Sequence, residues 1–126
     1  MTTKVTTEQA LDILHTSICN AISTGYMSGY GLDLQYSEEE YKQSKKALKN
    51  PCWEDVLIQI LKDGGSLIIV DEEVSEEPIA VTLNDVEKRT AEMPIRLLST
   101  FLKEEDDANT ADEYLQLLFF GEQLYG

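Results

Sequence analysis

The chain of 126 residues is predicted to be α+β, with several short helices packed around a single β-hairpin and the C-terminal helix central. Three observations lead there. Hydroxyl-led capping signals precede runs of apolar residues at helical spacing. Two short β-rich runs, Ser66–Val70 and Ile79–Leu83, flank a polar stretch of eight residues, DEEVSEEP. The last segment is apolar around nearly its whole circumference, which is the pattern of a buried helix.

The elements follow in order. Thr6-Thr7-Glu8-Gln9 reads as a capping box, and Leu11, Leu14, Ile18 and Ile22 recur behind it, so a helix is expected over 7–23 with Gly25 ending it. GYMSGYGLDLQY, residues 25–36, holds three glycines and three tyrosines without a clean period and reads as loop or irregular chain. Ser37-Glu38-Glu39-Glu40 caps a polar surface helix over about 38–48. Asn50-Pro51 reads as a restart, with Asn capping and Pro at the first helical position. Trp53, Val56, Leu57, Ile60 and Leu61 form its stripe, and Asp63-Gly64-Gly65 stops it.

The hairpin comes next. An isolated two-stranded ribbon is marginal in water. Leu67–Val70 is apolar on both faces, so either helices cover it or it pairs with a further strand, including one from a second subunit. Thr82 or Asn84 caps a helix over about 84–92; Pro94 interrupts, and Ile95–Leu102 continues as helix. Thr110-Ala111-Asp112-Glu113 reads as a third capping box, opening the last helix over about 110–124. No repeat or linker divides the chain, so one domain is expected over 1–126. The two-faced strand and the all-round apolar helix together predict a homo-oligomer.

Composition narrows the function classes. With 24 acidic and 10 basic side chains, the formal charge is −14. It is uneven: residues 1–50 carry five basic and six acidic groups, and residues 51–126 carry five basic and eighteen acidic groups. Such a chain does not suit a phosphate backbone or an anionic lipid surface. No apolar window approaches the ~18 residues of a membrane span, and MTTKVTTEQALDIL lacks the apolar core of a secretory signal. Cys19 and Cys52 lie too far apart for a zinc ribbon and form no disulfide framework, so the expected setting is the cytoplasm, with reduced thiols.

Each chemical constellation has a plainer alternative. His15 and Cys19, four apart on one helical face, could form a thiolate–imidazole dyad or half of a metal site. Zinc needs two further soft or imidazole ligands; only Cys52 is left, and there is no second His. A buried Cys is usually a small hydrophobe. GYMSGYG has neither GxGxxG nor GK[ST], so it is a permissive loop whose Tyr26 and Tyr30 offer recognition surface at most. As a calcium loop starting at Asp107, the acidic run has Ala111 fifth, Asp112 in place of Gly sixth and Leu118 twelfth, and fails. A Ser-His-Asp triad would have to use His15 in mid-helix, an unsuitable place. Paired carboxylates are everywhere and select nothing without a known separation. No catalytic, cofactor or metal residue is therefore assigned.

NPCWEDVLIQILKDGGSLIIVDEE, then VTLNDVEKRTAEMP, then EEDDANTADEYLQLLFFGEQLYG resembles the small acidic proteins of bacterial prophages and other mobile elements, over roughly residues 50–126. The resemblance implies a bacterial cytosolic setting and carries over no activity or site residue. The expected function is a non-enzymatic acidic interaction module engaging a basic partner, of inhibitor or immunity type or as a DNA mimic. Its contact residues would be Asp71, Glu72, Glu73, Glu76, Glu77, Glu104, Glu105, Asp106 and Asp107. The alternative is a small ligand-binding protein or enzyme using the Tyr26/Tyr30 loop with His15 and Cys19.

Overall fold

Helix α1 (Thr7–Ser17) begins at the expected capping box: the Thr6 hydroxyl accepts from Gln9 N–H at 3.1 Å, and the Gln9 side chain accepts from Thr6 N–H at 3.0 Å. The computed structural model describes residues 4–23, 32–71 and 77–122. The expected helix over 7–23 changes character at Ser17 and continues as a π-helical turn, Ile18–Ile22, closed by Ser23 N–H donating to Ile18 C=O. Gly25 lies outside the described residues.

Strand β1 (Leu32–Gln35) is where the sequence pattern suggested irregular chain. It pairs antiparallel with β2 (Leu67–Asp71), setting Leu34 opposite Ile69, and β2 pairs antiparallel with β3 (Ile79–Val81), setting Ile69 opposite Ile79. The sheet therefore has three strands in the order β1-β2-β3, in place of the single expected hairpin. Four residues are too few for alternation to register against flanking glycines, yet Leu34 is buried between exposed Asp33 and Gln35, as a half-covered strand requires.

Helix α2 (Glu38–Lys46) starts at Ser37 and lies on the surface; Ser44 is its buried residue and donates to Asp63 Oδ2 at 2.8 Å. Helix α3 (Trp53–Lys62) starts later than expected. Asn50 is left-handed (φ 49°) and cannot serve as the extended N-cap; Cys52 takes that place (φ −80°, ψ 170°), and the Asp55 carboxylate accepts its N–H at 3.2 Å. The helix ends in a Schellman motif: Gly65 N–H donates to Ile60 C=O, Gly64 N–H donates to Leu61 C=O, and Gly64 has φ 92°.

Of the two candidates, Thr82 rather than Asn84 caps α4 (Leu83–Ala91), with Asp85 reaching back to Thr82 N–H at 3.0 Å. Helix α5 (Ile95–Leu102) follows Pro94. Helix α6 (Ala108–Phe120) begins one turn earlier than the third capping box implied: Asp107 is the N-cap and Thr110 its N3 partner, an anion at the positive helix end.

α6 is central. It packs on α1, the π turn, α4, α5 and β3, and buries Ala111, Tyr114, Leu115, Leu118 and Phe119. The Tyr114 ring meets Phe101 edge-on at 5.6 Å, and its hydroxyl lies 2.7 Å from Thr90 Oγ1. Leu67 and Ile69 of β2 are buried too. One face of β2 and most of α6 are thus covered from within the chain, while Ile68 and Val70 on the other face of β2 are half-buried. Among the described residues no helix is long and apolar enough to cross a membrane.

Candidate functional site

The junction of α1, the π turn and the start of α3 gathers the reactive side chains. Residue 15 faces α3 from the last turn of α1, and Asp55 is the third residue of α3. His15 Nε2 and Asp55 Oδ1 are 2.9 Å apart, with the two side chains 34% and 46% exposed. An ionised carboxylate only accepts, so Nε2 carries the proton and donates. In the neutral ring Nδ1 is then an acceptor, and Cys19 Sγ lies 3.8 Å from it. Cys19 sits in the π turn, a local irregularity frequent at functional sites.

Cys52 joins this group from the N-cap of α3. One ligand-type atom each of His15, Cys52 and Asp55 all lie within 4.8 Å of one another. The sequence spacing of these residues carries no metal signature; the packing of α1 against α3 makes the cluster. Glu54 borders it, hydrogen-bonded to the Ser23 hydroxyl and the Cys52 thiol.

The electrostatics oppose an activated thiol. Burial, then the Glu54 and Asp55 carboxylates, push the Cys19 thiol above its ordinary pKa. Hydrogen bonding to Glu54 chiefly raises the exposed Cys52 thiol. Conversely, the Cys52 thiol and then the His15 ring donate to Asp55 and hold its carboxyl below the usual range. The chain Cys19–His15–Asp55 has the order of nucleophile, base and orienting acid, but its thiol is held protonated.

His15 and Asp55 also stand in the wall of an open cleft of about 610 Å³ between α1 and α3. Leu11, Leu48, Pro51 and Ile58 give it an apolar floor, and Glu8, Asp12, Lys49 and Lys62 give it a mixed charged rim. Tyr26 and Tyr30, the expected partners of His15 and Cys19, lie outside the described residues.

The expected acidic contact residues divide. Glu72, Glu73 and Glu76 lie outside the described residues; the backbone of Asp71 ends β2 opposite Leu32, and Glu77 is exposed ahead of β3. Glu104 and Glu105 are exposed in the turn after α5. Asp106 accepts from Asn20 Nδ2 at 2.9 Å, and Asp107 caps α6, so its carboxylate also serves the fold. Glu104 and Asp106 line a recess of about 190 Å³ with Asp12, Ile13, Phe101 and Leu102. The α1 residue Asp12 was not among the acidic residues singled out in the sequence; it reaches this recess only because α1 packs beside the end of α5. Comparison with family models, curated proteins and solved structures finds no match to the chain.

Proposed function

We propose that this protein is a non-enzymatic interaction module that engages a basic partner through the acidic recess between α1 and the end of α5. One observation carries the reading: Asp12, Glu104 and Asp106 converge on a recess whose floor includes Ile13, Phe101 and the 57% exposed Leu102. A lysine or arginine suits such a site, its aliphatic stem lying on Leu102 and its charged head among the carboxylates. Ile95, 71% exposed and seven residues before Leu102, extends the apolar strip along α5. Charge elsewhere points the same way. Between described residues, Arg96–Glu113 at 2.6 Å is the one ion pair that uses an arginine or lysine, so much of the negative surface is not neutralised from within. An inhibitor or immunity-type role, or that of an accessory protein of a bacterial mobile element, fits such a surface.

The test is binding of a Lys/Arg-rich amphipathic peptide, followed by fluorescence anisotropy at low and high salt, beside a Glu-rich peptide of the same apolar pattern. The expected result is salt-sensitive binding of the basic peptide alone, weakened several-fold by Asp12→Asn with Glu104→Gln. Binding indifferent to salt and to both substitutions overturns the reading.

A second reading rests on the α1–α3 cleft, where His15 and Asp55 face about 610 Å³ of open space. A small-molecule site there predicts ligand-induced stabilisation that His15→Ala abolishes. The protonated Cys19 thiol touches His15 from outside the cleft lining, which argues against thiol catalysis there.

A further inference from the structure

We infer that His15, Cys52 and Asp55 form a binding site for a single zinc-class divalent transition-metal ion at the junction of α1 and α3. The donor set is an imidazole nitrogen, a thiol sulfur and a carboxylate oxygen, drawn from two helices and already within 4.8 Å of one another. In a tetrahedral zinc site with bonds of about 2.0–2.3 Å, neighbouring donors stand roughly 3.3–3.5 Å apart. His15 Nε2 and Asp55 Oδ1, at 2.9 Å, need to separate by a few tenths of an ångström. Cys52 is exposed at a helix cap, so its side chain swings inward without disturbing the core.

Charge and protons balance. The Cys52 thiolate and the Asp55 carboxylate together match a doubly charged ion, while neutral His15 adds none. On binding, the thiol proton leaves to solvent and the imidazole proton moves from Nε2 to Nδ1. The Nδ1–H then points to Cys19 Sγ, 3.8 Å away, which holds the ring in orientation as an outer partner. Glu54, which accepts from the Cys52 thiol in the free protein, gives up that bond when the thiol proton leaves, and stays beside the site as a further negative charge. His15 and Asp55 line the open cleft, so a fourth position is within reach of water or a ligand donor. Sulfur and imidazole donors select zinc, cobalt or copper over magnesium and calcium. The site is independent of the acidic recess, to which none of its three ligands belongs.

The experiment uses the full chain, fully reduced. Zinc is titrated in competition with a chromophoric chelator, and cobalt(II) is titrated with absorption as readout. One ion per chain is expected, with a thiolate-to-cobalt charge-transfer band in the near ultraviolet and no competition from excess magnesium. Cys52→Ser is expected to abolish the band and weaken zinc at least tenfold; serine is a better N-cap than cysteine, so α3 keeps its start. Asp55→Asn is expected to weaken zinc at least tenfold, with the sulfur band retained at saturating cobalt. Cys19→Ser is expected to keep the band. Absence of a sulfur band in the unaltered chain, a band surviving Cys52→Ser, or displacement of the ion by magnesium overturns the proposal. That last result would reveal only diffuse attraction to the acidic surface.

Discussion

Asp55 accepts a hydrogen bond from His15 Nε2 at 2.9 Å across forty residues of sequence, while its other oxygen accepts the Cys52 N–H at 3.2 Å and closes the cap of α3. One carboxylate thus ties α1 to α3 and starts a helix. Its folded-state pKa is depressed, by the Cys52 thiol first and the His15 ring second. A depressed carboxyl contributes stability above its unfolded pKa of about 4 and loses it as pH falls through the lower folded value. Asp55→Asn is therefore expected to be less destabilised by acid across that window than the unaltered chain, as urea midpoints at successive pH values would record. Solvent screening at a side chain 46% exposed keeps the difference below about 1 kcal/mol. Parallel pH profiles for the two proteins refute the assignment.

Tyr114 and Thr90 share a buried hydroxyl pair at 2.7 Å, and burial drives the phenol pKa far up, so the pair stays neutral at any ordinary pH. Tyr114→Phe strands the Thr90 hydroxyl and is expected to cost about 1–3 kcal/mol. Adding Thr90→Val removes the stranded group and is expected to recover part of that loss. A double-mutant cycle from denaturant unfolding measures the coupling; additive costs contradict a shared bond.

Gly65 is held by space rather than dihedral. A Cβ there would stand 2.7 Å from Ile60 Cγ2 and 2.8 Å from Glu40 Cδ. Gly65→Ala is expected to destabilise by about 1–3 kcal/mol through overpacking between α2 and α3. At Gly64 a Cβ meets nothing within 4 Å but φ is 92°, so Gly64→Ala is expected to cost about 1 kcal/mol from backbone strain alone. Pairing each with Glu40→Ala separates the two causes, since only the Gly65 penalty should relax, and only in part, because Ile60 Cγ2 remains 2.7 Å from the added Cβ.

Glu104 occupies the left-handed position of the motif that ends α5, at φ 57°, with Glu105 N–H donating to Thr100 C=O and Glu104 N–H to Phe101 C=O. Glycine is the residue such a position favours. Glu104→Gly is expected to stabilise the fold by up to about 1 kcal/mol while weakening the basic peptide several-fold. Melting and anisotropy measured on the same sample test both directions. A variant that binds as well as the parent detaches Glu104 from the recess.

The two thiols are expected to alkylate slowly at neutral pH, Cys52 before Cys19. Both are held protonated, but Cys52 is exposed whereas Cys19 is half-buried behind His15. Timed iodoacetamide labelling with peptide mass spectrometry gives the order; prior labelling of Cys19 contradicts the placement.

Local signals were legible where a short segment decides its own conformation. The Thr6–Gln9 box, the Ser37 cap and the glycine stop after α3 each depend on side chains within a few residues of one another. The all-round apolar pattern of α6 foretold its central place, because such a surface can be hidden only inside. Where two caps compete within one turn, geometry outranks residue type. Asn50 is the better capping residue, yet its left-handed backbone hands the role to Cys52; at α6, by contrast, Asp107 is the stronger cap by residue type as well, and Thr110 becomes its N3 partner. Strand β1 escaped notice because what stabilises it is the pairing of Leu34 with Ile69, thirty-five residues on.

By itself, the amino-acid order determined the α+β class, most helix starts, the buried last helix and the excess of negative charge. These are sums of local propensity, periodicity and composition, and they do not depend on what lies far along the chain. Only the tertiary structure decided that Cys52 and Asp55 stand beside His15 and that Asp12 joins Glu104 and Asp106. Such encounters are set by helix packing across tens of residues, where burial of the shared apolar core dictates which polar side chains end up as neighbours.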